Sequence, residues 1–234
     1  MTTPYDALAP HYAAYAGTRA TYHHAVDQAI LGQLRRRGGA WLDVGSADGG
    51  RAVRLARAAS TTRLVLSDPS AEMIAQCRRH DVSDVWHAAA ESLPAPPPFF
   101  DVVTCLWGVL GAIDGSERRI VALEHIRALL SSDGQLFLDV PNRYNTRTAG
   151  RARVLARMLR DSLRPSEANG AVRFTWDVGG ARIPARGHLF TDDEARRLFA
   201  LAGLRVVRCR YIDYTTGDTR SWTEGQMLFE LAKN

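Results

Sequence analysis

The stretch WLDVGSADGG, Trp41 to Gly50, decides how this sequence is read. Four largely apolar residues that include Asp43 break into a run with three glycines and a second carboxylate, Asp48, and a helix-like segment, RAVRLARAAS, follows at once. A tight turn from a parallel strand into a helix lies at the carboxyl edge of a sheet, where open α/β sheets bind ligands. Gly45 lets backbone approach a ligand, and Gly49 and Gly50 allow the turn and close helix packing. The loop lacks both the G-x-G-x-x-G dinucleotide fingerprint and the Gly-Lys-Ser/Thr of a P-loop. Asp43, just before the turn, would repel a pyrophosphate and welcome a cationic or amine-bearing nucleotide. Asp68 ends the next apolar run, RLVLSD, at the usual station of a carboxylate that grips both ribose hydroxyls.

Outward from this loop the same rhythm repeats. Strands are expected at 40–45, 63–68, about 84–88, 100–106 and 135–140. Helices are expected at 49–59, 70–80 and 116–130, with a proline-rich loop, SLPAPPPF, before the fourth strand and a turn at Ser131 to Gly134. Such alternation argues for a parallel sheet covered on both faces. Tyr5, Leu8, Tyr12 and Tyr15 recur at helical spacing, so 5–37 reads as helix, stopped by Gly38 and Gly39. FTDDEARRLFALAGL is a helix with Thr191 as N-cap, Glu194 at the capping-box position and Gly203 at its end. Two closing strands, RVVRCRYI and QMLFELA, suggest an antiparallel edge. Residues 141–190 interrupt the pattern as an insertion. Its first part, RYNTRTAGRARVLARMLRDSL, reads as a helix, and AVRFTWDVGGARIPARGHLF as a hairpin around Gly179-Gly180.

The 234 residues suffice for one domain with a full core. No run approaches the roughly eighteen apolar residues that span a bilayer, and the first residues lack the features of a signal peptide. A cytoplasmic chain is expected, with no membrane contact and with homodimer formation open. Cys77, Cys105 and Cys209 are scattered and read as reduced thiols; the histidines form no ligand pair, so no metal is expected. The net charge of +5 could suggest nucleic acid, but Lys233 is the only lysine among 30 basic side chains, which points to a compositional habit. Arg153, Arg157, Arg160 and Arg164 form one face of the insertion helix. That face is either solvated or a basic wall for an acidic substrate or RNA.

Asp43-Val44-Gly45-Ser46-Ala47-Asp48-Gly49, then Asp68, AAAESLP, FDVVTCLWGVLGAI and LLSSDGQLFLDVPN resemble, in order, the motifs of class I S-adenosylmethionine-dependent methyltransferases. The small-molecule group is the nearest in kind. The resemblance runs from Tyr5 to Val140 and resumes at GHLFTDDEARRLFALAGL. It implies a Rossmann-like three-layer α/β sandwich, with a seven-stranded, mostly parallel sheet of order 3-2-1-4-5-7-6 and an antiparallel last strand. It implies one S-adenosylmethionine-binding domain over 1–234, with 1–39 as a helical lid and 141–190 as an acceptor lid. Asp43, Gly45, Ser46, Ala47 and Gly49 would line the methionine end of the cofactor. Asp68 would take the ribose, Pro69 and Met73 the adenine faces, and Ala90 and Glu91 its edge. Leu106 and Trp107 would face cofactor and acceptor. Ala47 replaces the family's usual middle glycine and is tolerable at negative φ; Ala89 replaces a frequent Asp, which leaves the adenine amine to Glu91. Tyr5, Tyr12 and Tyr15 would meet the cofactor, where an aromatic face can hold the sulfonium.

No catalytic group stands out. His188, Asn142 and Tyr144 are the candidates, by their address near the acceptor. Asp43 could instead be a structural carboxylate, and Asp68 a helix cap. The expected activity is methyl transfer to an O or N nucleophile of a small molecule. The alternatives are RNA methylation, another alkyl transfer or cyclisation on the same fold, and a non-catalytic cofactor-binding subunit. From the loop at 43–49, the chain is expected to bind S-adenosylhomocysteine and to bind NAD poorly. Calorimetry that found tight NAD binding and none for S-adenosylhomocysteine would overturn that reading.

Overall fold

The computed structural model describes residues 3–94 and 99–234. Residues 95–98, the centre of the expected proline-rich loop, lie outside the described residues. The sheet strands are β1 (Ala40–Val44), β2 (Arg63–Asp68), β3 (Asp84–His87), β4 (Phe100–Cys105), β5 (Leu130–Val140), β8 (Leu204–Ile212) and β9 (Gln226–Lys233). Between β5 and β8 a separate hairpin forms from β6 (Ala171–Val178) and β7 (Ala181–His188). The main sheet runs β3-β2-β1-β4-β5-β9-β8. Counted without the hairpin, this is the expected order 3-2-1-4-5-7-6. Only β9 runs against both of its neighbours.

The sheet is held by residues that alternate between its faces, as the period of a strand requires. On one face Leu42, Val65, Val103, Leu138 and Phe229 pack against α7 (Ser116–Leu129) and α10 (Asp192–Leu201). On the other, Trp41, Leu64, Val102, Phe137 and Leu228 pack against α3 (Ala20–Leu31) and α4 (Gly50–Ala58). Each fully buried Leu, Val or Phe is worth about 1.5–3 kcal/mol. Adjacent residues of one strand thus serve two separate cores.

Several expected elements are shorter. The N-terminal helix is broken into α1 (Pro4–Leu8), a 3-10 turn (Ala9–His11), α2 (Tyr12–Gly17) and α3. Pro10 lacks the amide a continuous helix needs, and Arg19 departs from helical geometry at φ −120° and ψ 17°. The helix α5 covers only Ala71–Cys77. The insertion helix is cut into α8 (Thr146–Ala149) and α9 (Arg151–Leu163) by Gly150, whose φ is 83°. The expected turn at 131–134 is a bulge inside β5: Leu130 pairs with Phe100, and pairing resumes at Gln135 with Val102.

Thr191 caps α10 as expected, accepting the Glu194 amide at 3.1 Å. The reciprocal half of the box is not made. The Glu194 carboxylate turns to His188 Nε2 (2.6 Å) and to Arg143 (2.5 Å), because both are buried and demand a partner. Thr191→Ala should therefore lose a single cap, about 1 kcal/mol. The urea midpoint should fall with an unchanged slope.

Candidate functional site

The glycine loop is stitched to the end of β2. The amides of Gly45 and Ser46 both donate to the Ser67 carbonyl, at 2.7 and 2.9 Å. The Ser46 hydroxyl donates to the Asp43 carbonyl (2.8 Å) and accepts the Ser67 amide (3.1 Å). Ala47 donates its amide to Asp68 Oδ2 at 2.9 Å, and Ser70 donates its amide to Asp68 Oδ1 at 2.8 Å. Gly45 has φ 72°, and a Cβ there would strike the side chain of Val109. Ala47 does not keep the negative φ the sequence led us to expect. It sits at φ 50°, a left-handed conformation that costs an alanine about 1–2 kcal/mol. Its bond to Asp68 fixes it there.

Above this loop lies a cavity of about 540 Å³, within the roughly 300–1,000 Å³ usual for ligand sites. Of the residues singled out in the sequence, Tyr5, Tyr12, Tyr15, Gly45, Ala47, Asp68, Pro69, Ala90, Glu91, Leu106, Trp107 and His188 line it. Asp68 is buried, only 6% exposed. Burial pushes its carboxyl up to about 6, against the pull of the two amides. Glu91 is paired with Arg118 at 2.6 Å at the mouth.

The roof comes from the N-terminus and the hairpin. Asp6 accepts the Ser70 hydroxyl at 2.6 Å, and Gln76 donates to the Ala9 carbonyl at 2.8 Å, which clamps the N-terminal segment onto α5. Trp176 of β6 donates its indole N–H to the Tyr15 hydroxyl (3.1 Å), and its ring lies 5.2 Å from that of Tyr5. Tyr15 stacks on Trp107 at 5.2 Å.

Other predicted residues stand behind the cavity wall. Asp43 is buried and accepts the Thr104 hydroxyl at 2.5 Å, while Thr104 accepts the Trp41 indole N–H. Ser46 and Gly49 shape the loop from beneath; a Cβ on Gly49 would lie 2.7 Å from Leu66 Cδ1. Met73 is fully buried under Leu8 and Trp176. Asn142 donates to the carbonyls of Trp222 (2.6 Å) and Gly225 (2.9 Å), and its amide is accepted by Gln226, a cavity residue. Tyr144 bonds Asp161 of α9 at 2.9 Å. His188 reaches the cavity from β7, but its partner across the ladder is Ala171. Alternation puts its ring on the face opposite Gly187. There Glu194 holds Nε2 and the ring packs against Phe190, at 4.6 Å.

The arginine face of α9 also stands apart. None of Arg153, Arg157, Arg160 and Arg164 lines the cavity. Arg157 donates to the Arg143 carbonyl and Arg160 to that of Asn169, both at 2.8 Å. The hairpin, through Val172, Phe174 and Trp176, is the part of the insertion that forms a wall.

The sequence reading missed Asp139, Tyr22, Tyr214 and Gln226. Asp139 ends β5 with its side chain on the cavity, 2% exposed. It accepts the Tyr22 hydroxyl at 2.8 Å and the Gly108 amide at 2.9 Å. Tyr214 accepts the Trp107 indole N–H at 2.9 Å. A carboxylate at the end of a second strand beside the glycine loop was the one available signal.

The sequence profile of a family described as "Methyltransferase domain" matches residues 16–208. Among curated proteins, no sequence matches the chain. Solved structures share its fold at low identity. A SAM-dependent methyltransferase from Thermotoga maritima superposes with a TM-score of 0.65 at 17% identity, covering 99% of each chain. An amino pentose methyltransferase of calicheamicin biosynthesis from Micromonospora echinaspora gives 0.64 at 15%, over 95% of this chain and 96% of that one. The CcbJ methyltransferase from Streptomyces caelestis gives 0.64 at 14%, over 92% and 90%. No helix among the described residues is long and apolar enough to cross a membrane.

The buried Asp43 has a measurable consequence. Burial pushes its carboxyl from 3.8 to about 6, only partly offset by hydrogen bonds from Thr104 and Ser46. Folding then takes up a proton between these two values, so the residue's contribution to stability falls as pH rises through that window. Asp43→Asn keeps an acceptor for Thr104 and has no proton to lose. Its stability relative to the parent should rise as pH rises from about 4 to about 6. Denaturant midpoints of both proteins across that range would check this; a constant difference would contradict it.

Proposed function

The chain belongs to the methyltransferase-domain family, and from that premise we propose that it transfers the methyl group of S-adenosylmethionine to an oxygen or nitrogen nucleophile of a small molecule. The observation that carries this reading is the buried Asp68 carboxylate beside a left-handed glycine loop, under a roof of aromatic rings. The fit to the cofactor is chemical. Asp68 keeps free lone pairs for ribose hydroxyls, and Gly45, which has no room for a Cβ beside Val109, lines the cavity with backbone alone. The rings of Tyr5, Tyr12, Tyr15 and Trp107 suit a sulfonium. The cavity floor carries carboxylates and no basic side chain, which suits a cationic nucleoside better than a phosphate-bearing one.

When bound, S-adenosylmethionine supplies a sulfonium-activated methyl group: the acceptor's lone pair takes the methyl carbon, and the C–S electron pair stays on sulfur. The chain's own residues orient and desolvate. Pro69, Ala90 and Glu91 receive the adenine side, and Leu106 and Trp107 stand between cofactor and acceptor. The N-terminal segment and the β6–β7 hairpin act as lids that exclude water. Catalysis is mainly proximity and alignment. His188, with its ring held by Glu194, is a positioning residue that ties β7 to α10.

The test is transfer of an isotopically labelled methyl group from S-adenosylmethionine into a metabolite extract, read by mass spectrometry, with Asp68→Ala as control. The variant should bind S-adenosylhomocysteine more weakly by about 2–3 kcal/mol. It should also melt lower, because the buried Ala47 and Ser70 amides lose their acceptor. Unchanged affinity in a folded variant would reduce Asp68 to a cap. No labelled product from any extract would refute the transfer.

A further inference from the structure

The walls of the cavity divide at the switch in strand order between β1 and β4. Asp68, Pro69, Ala47, Ala90 and Glu91 belong to β1, β2 and β3 or the loops that follow them. Trp107 and Gly108 follow β4, and Asp139 ends β5. In open α/β sheets the ligand crevice lies at this switch. Under the methyl-transfer reading, on which this inference rests, the β1–β2–β3 side takes the cofactor and the β4–β5 side takes the acceptor.

The second half has a distinctive composition. Its one deeply buried carboxylate is Asp139, which makes no ion pair with a described residue and is held by the Tyr22 hydroxyl and the Gly108 amide, with the Trp107 amide also acting on it. Its two oxygens together offer about four acceptor sites, so acceptor capacity remains. The cation acting on it is Arg51, whose guanidinium is already bonded to Asp27 at 2.7 Å. Beside Asp139 stand aromatic rings: Tyr22 lies 4.9 Å from Tyr214, which accepts the Trp107 indole N–H and carries the Arg19 guanidinium 4.7 Å from its centre. The cationic lining residues, Arg118 and Arg186, are exposed at the mouth, and Arg118 is spent on Glu91. So the floor is anionic and aromatic, and the positive charge is confined to the rim.

We infer that the acceptor is an amine on a largely apolar scaffold, with its ammonium nitrogen bound by the Asp139 carboxylate among the rings of Tyr22, Trp107 and Tyr214. A buried carboxylate and aromatic faces both favour a cation and disfavour an anion. A neutral alcohol would donate a hydrogen bond to Asp139 but gain no charge attraction. The same carboxylate can make the nitrogen reactive. One N–H proton passes to an Asp139 oxygen, which becomes a neutral carboxyl, and the nitrogen keeps the freed pair as its lone pair. Burial raises the Asp139 carboxyl above the usual carboxylate range, against the opposing pull of Arg51 and of its hydrogen-bond donors Tyr22, Gly108 and Trp107, and so helps it accept that proton.

The test uses three aryl-alkyl probes of similar size and different charge: phenethylamine, phenethyl alcohol and phenylacetate. Calorimetry on protein saturated with S-adenosylhomocysteine reports the acceptor half alone. Phenethylamine should bind at least about tenfold more tightly than either other probe, and Asp139→Asn should erase most of that preference while S-adenosylhomocysteine still binds. Equal binding of the three, tighter binding of the anion, or no binding of the amine would overturn the inference. Should Asp139→Asn fail to fold, the ranking on the parent protein decides. Failure of S-adenosylhomocysteine to bind would instead count against the methyl-transfer reading. The probe ranking on the unloaded protein would still decide the charge of the ligand.

Discussion

A single buried carboxylate joins the parts of this site. Asp68 takes the Ala47 amide on one oxygen and the Ser70 amide on the other, so it fixes the glycine loop and the start of α5 together. Ser70 in turn caps α5 by accepting the Met73 amide at 3.2 Å and donates its hydroxyl to Asp6 of the N-terminal segment. Floor, side wall and roof are thereby referred to one group. Among the described residues no cation pairs with it, and the charge is held by the Ala47 and Ser70 amides. A charge held this way is costly to bury, and it interacts strongly with any hydroxyl presented to it.

The parts that were legible in the sequence are those set by local pattern. Apolar runs such as RLVLSD and FDVVTCL announced strands, their alternation with helices argued for a parallel sheet, and the strand order came from the resemblance of the motifs. Gly179-Gly180 between alternating runs announced the hairpin. Asp68 was legible because it follows the glycine loop by one strand and one helix. What failed depends on distant partners. The tyrosine spacing hid the break at Pro10, because segments on both sides face the same cavity. The φ of Ala47 is decided by a carboxylate 21 positions away. Asp139 sits at the end of an ordinary apolar strand, and Tyr214 in a loop without pattern. Only the folded chain brings them to Trp107.

Trp107 concentrates the strain of the site. Its φ is 63°, and that of Gly108 is 77°. A bulky residue in this conformation costs about 1–3 kcal/mol and persists only where its surroundings enforce it. Here they do so through the ring: Tyr12 at 5.8 Å, Tyr15 at 5.2 Å and His23 at 4.4 Å surround it, and Tyr214 takes its N–H. The turn in turn aims the Gly108 amide at Asp139. Backbone geometry at the end of β4 is thus maintained by side chains from the N-terminal helices. The arginines on the insertion helix, more conspicuous in the sequence, have no part in this.

The β6–β7 hairpin shares no strand ladder with the seven-stranded sheet. Its ladder hydrogen bonds close within itself, and it presents Val172 and Phe174 to the cavity. Residue exchanges at these two positions leave the main ladder untouched. For an evolving or a redesigned protein, this separates what may vary from what must persist. Under the methyl-transfer reading, acceptor range can drift on the hairpin one substitution at a time, while the half assigned to the cofactor remains under its own constraint.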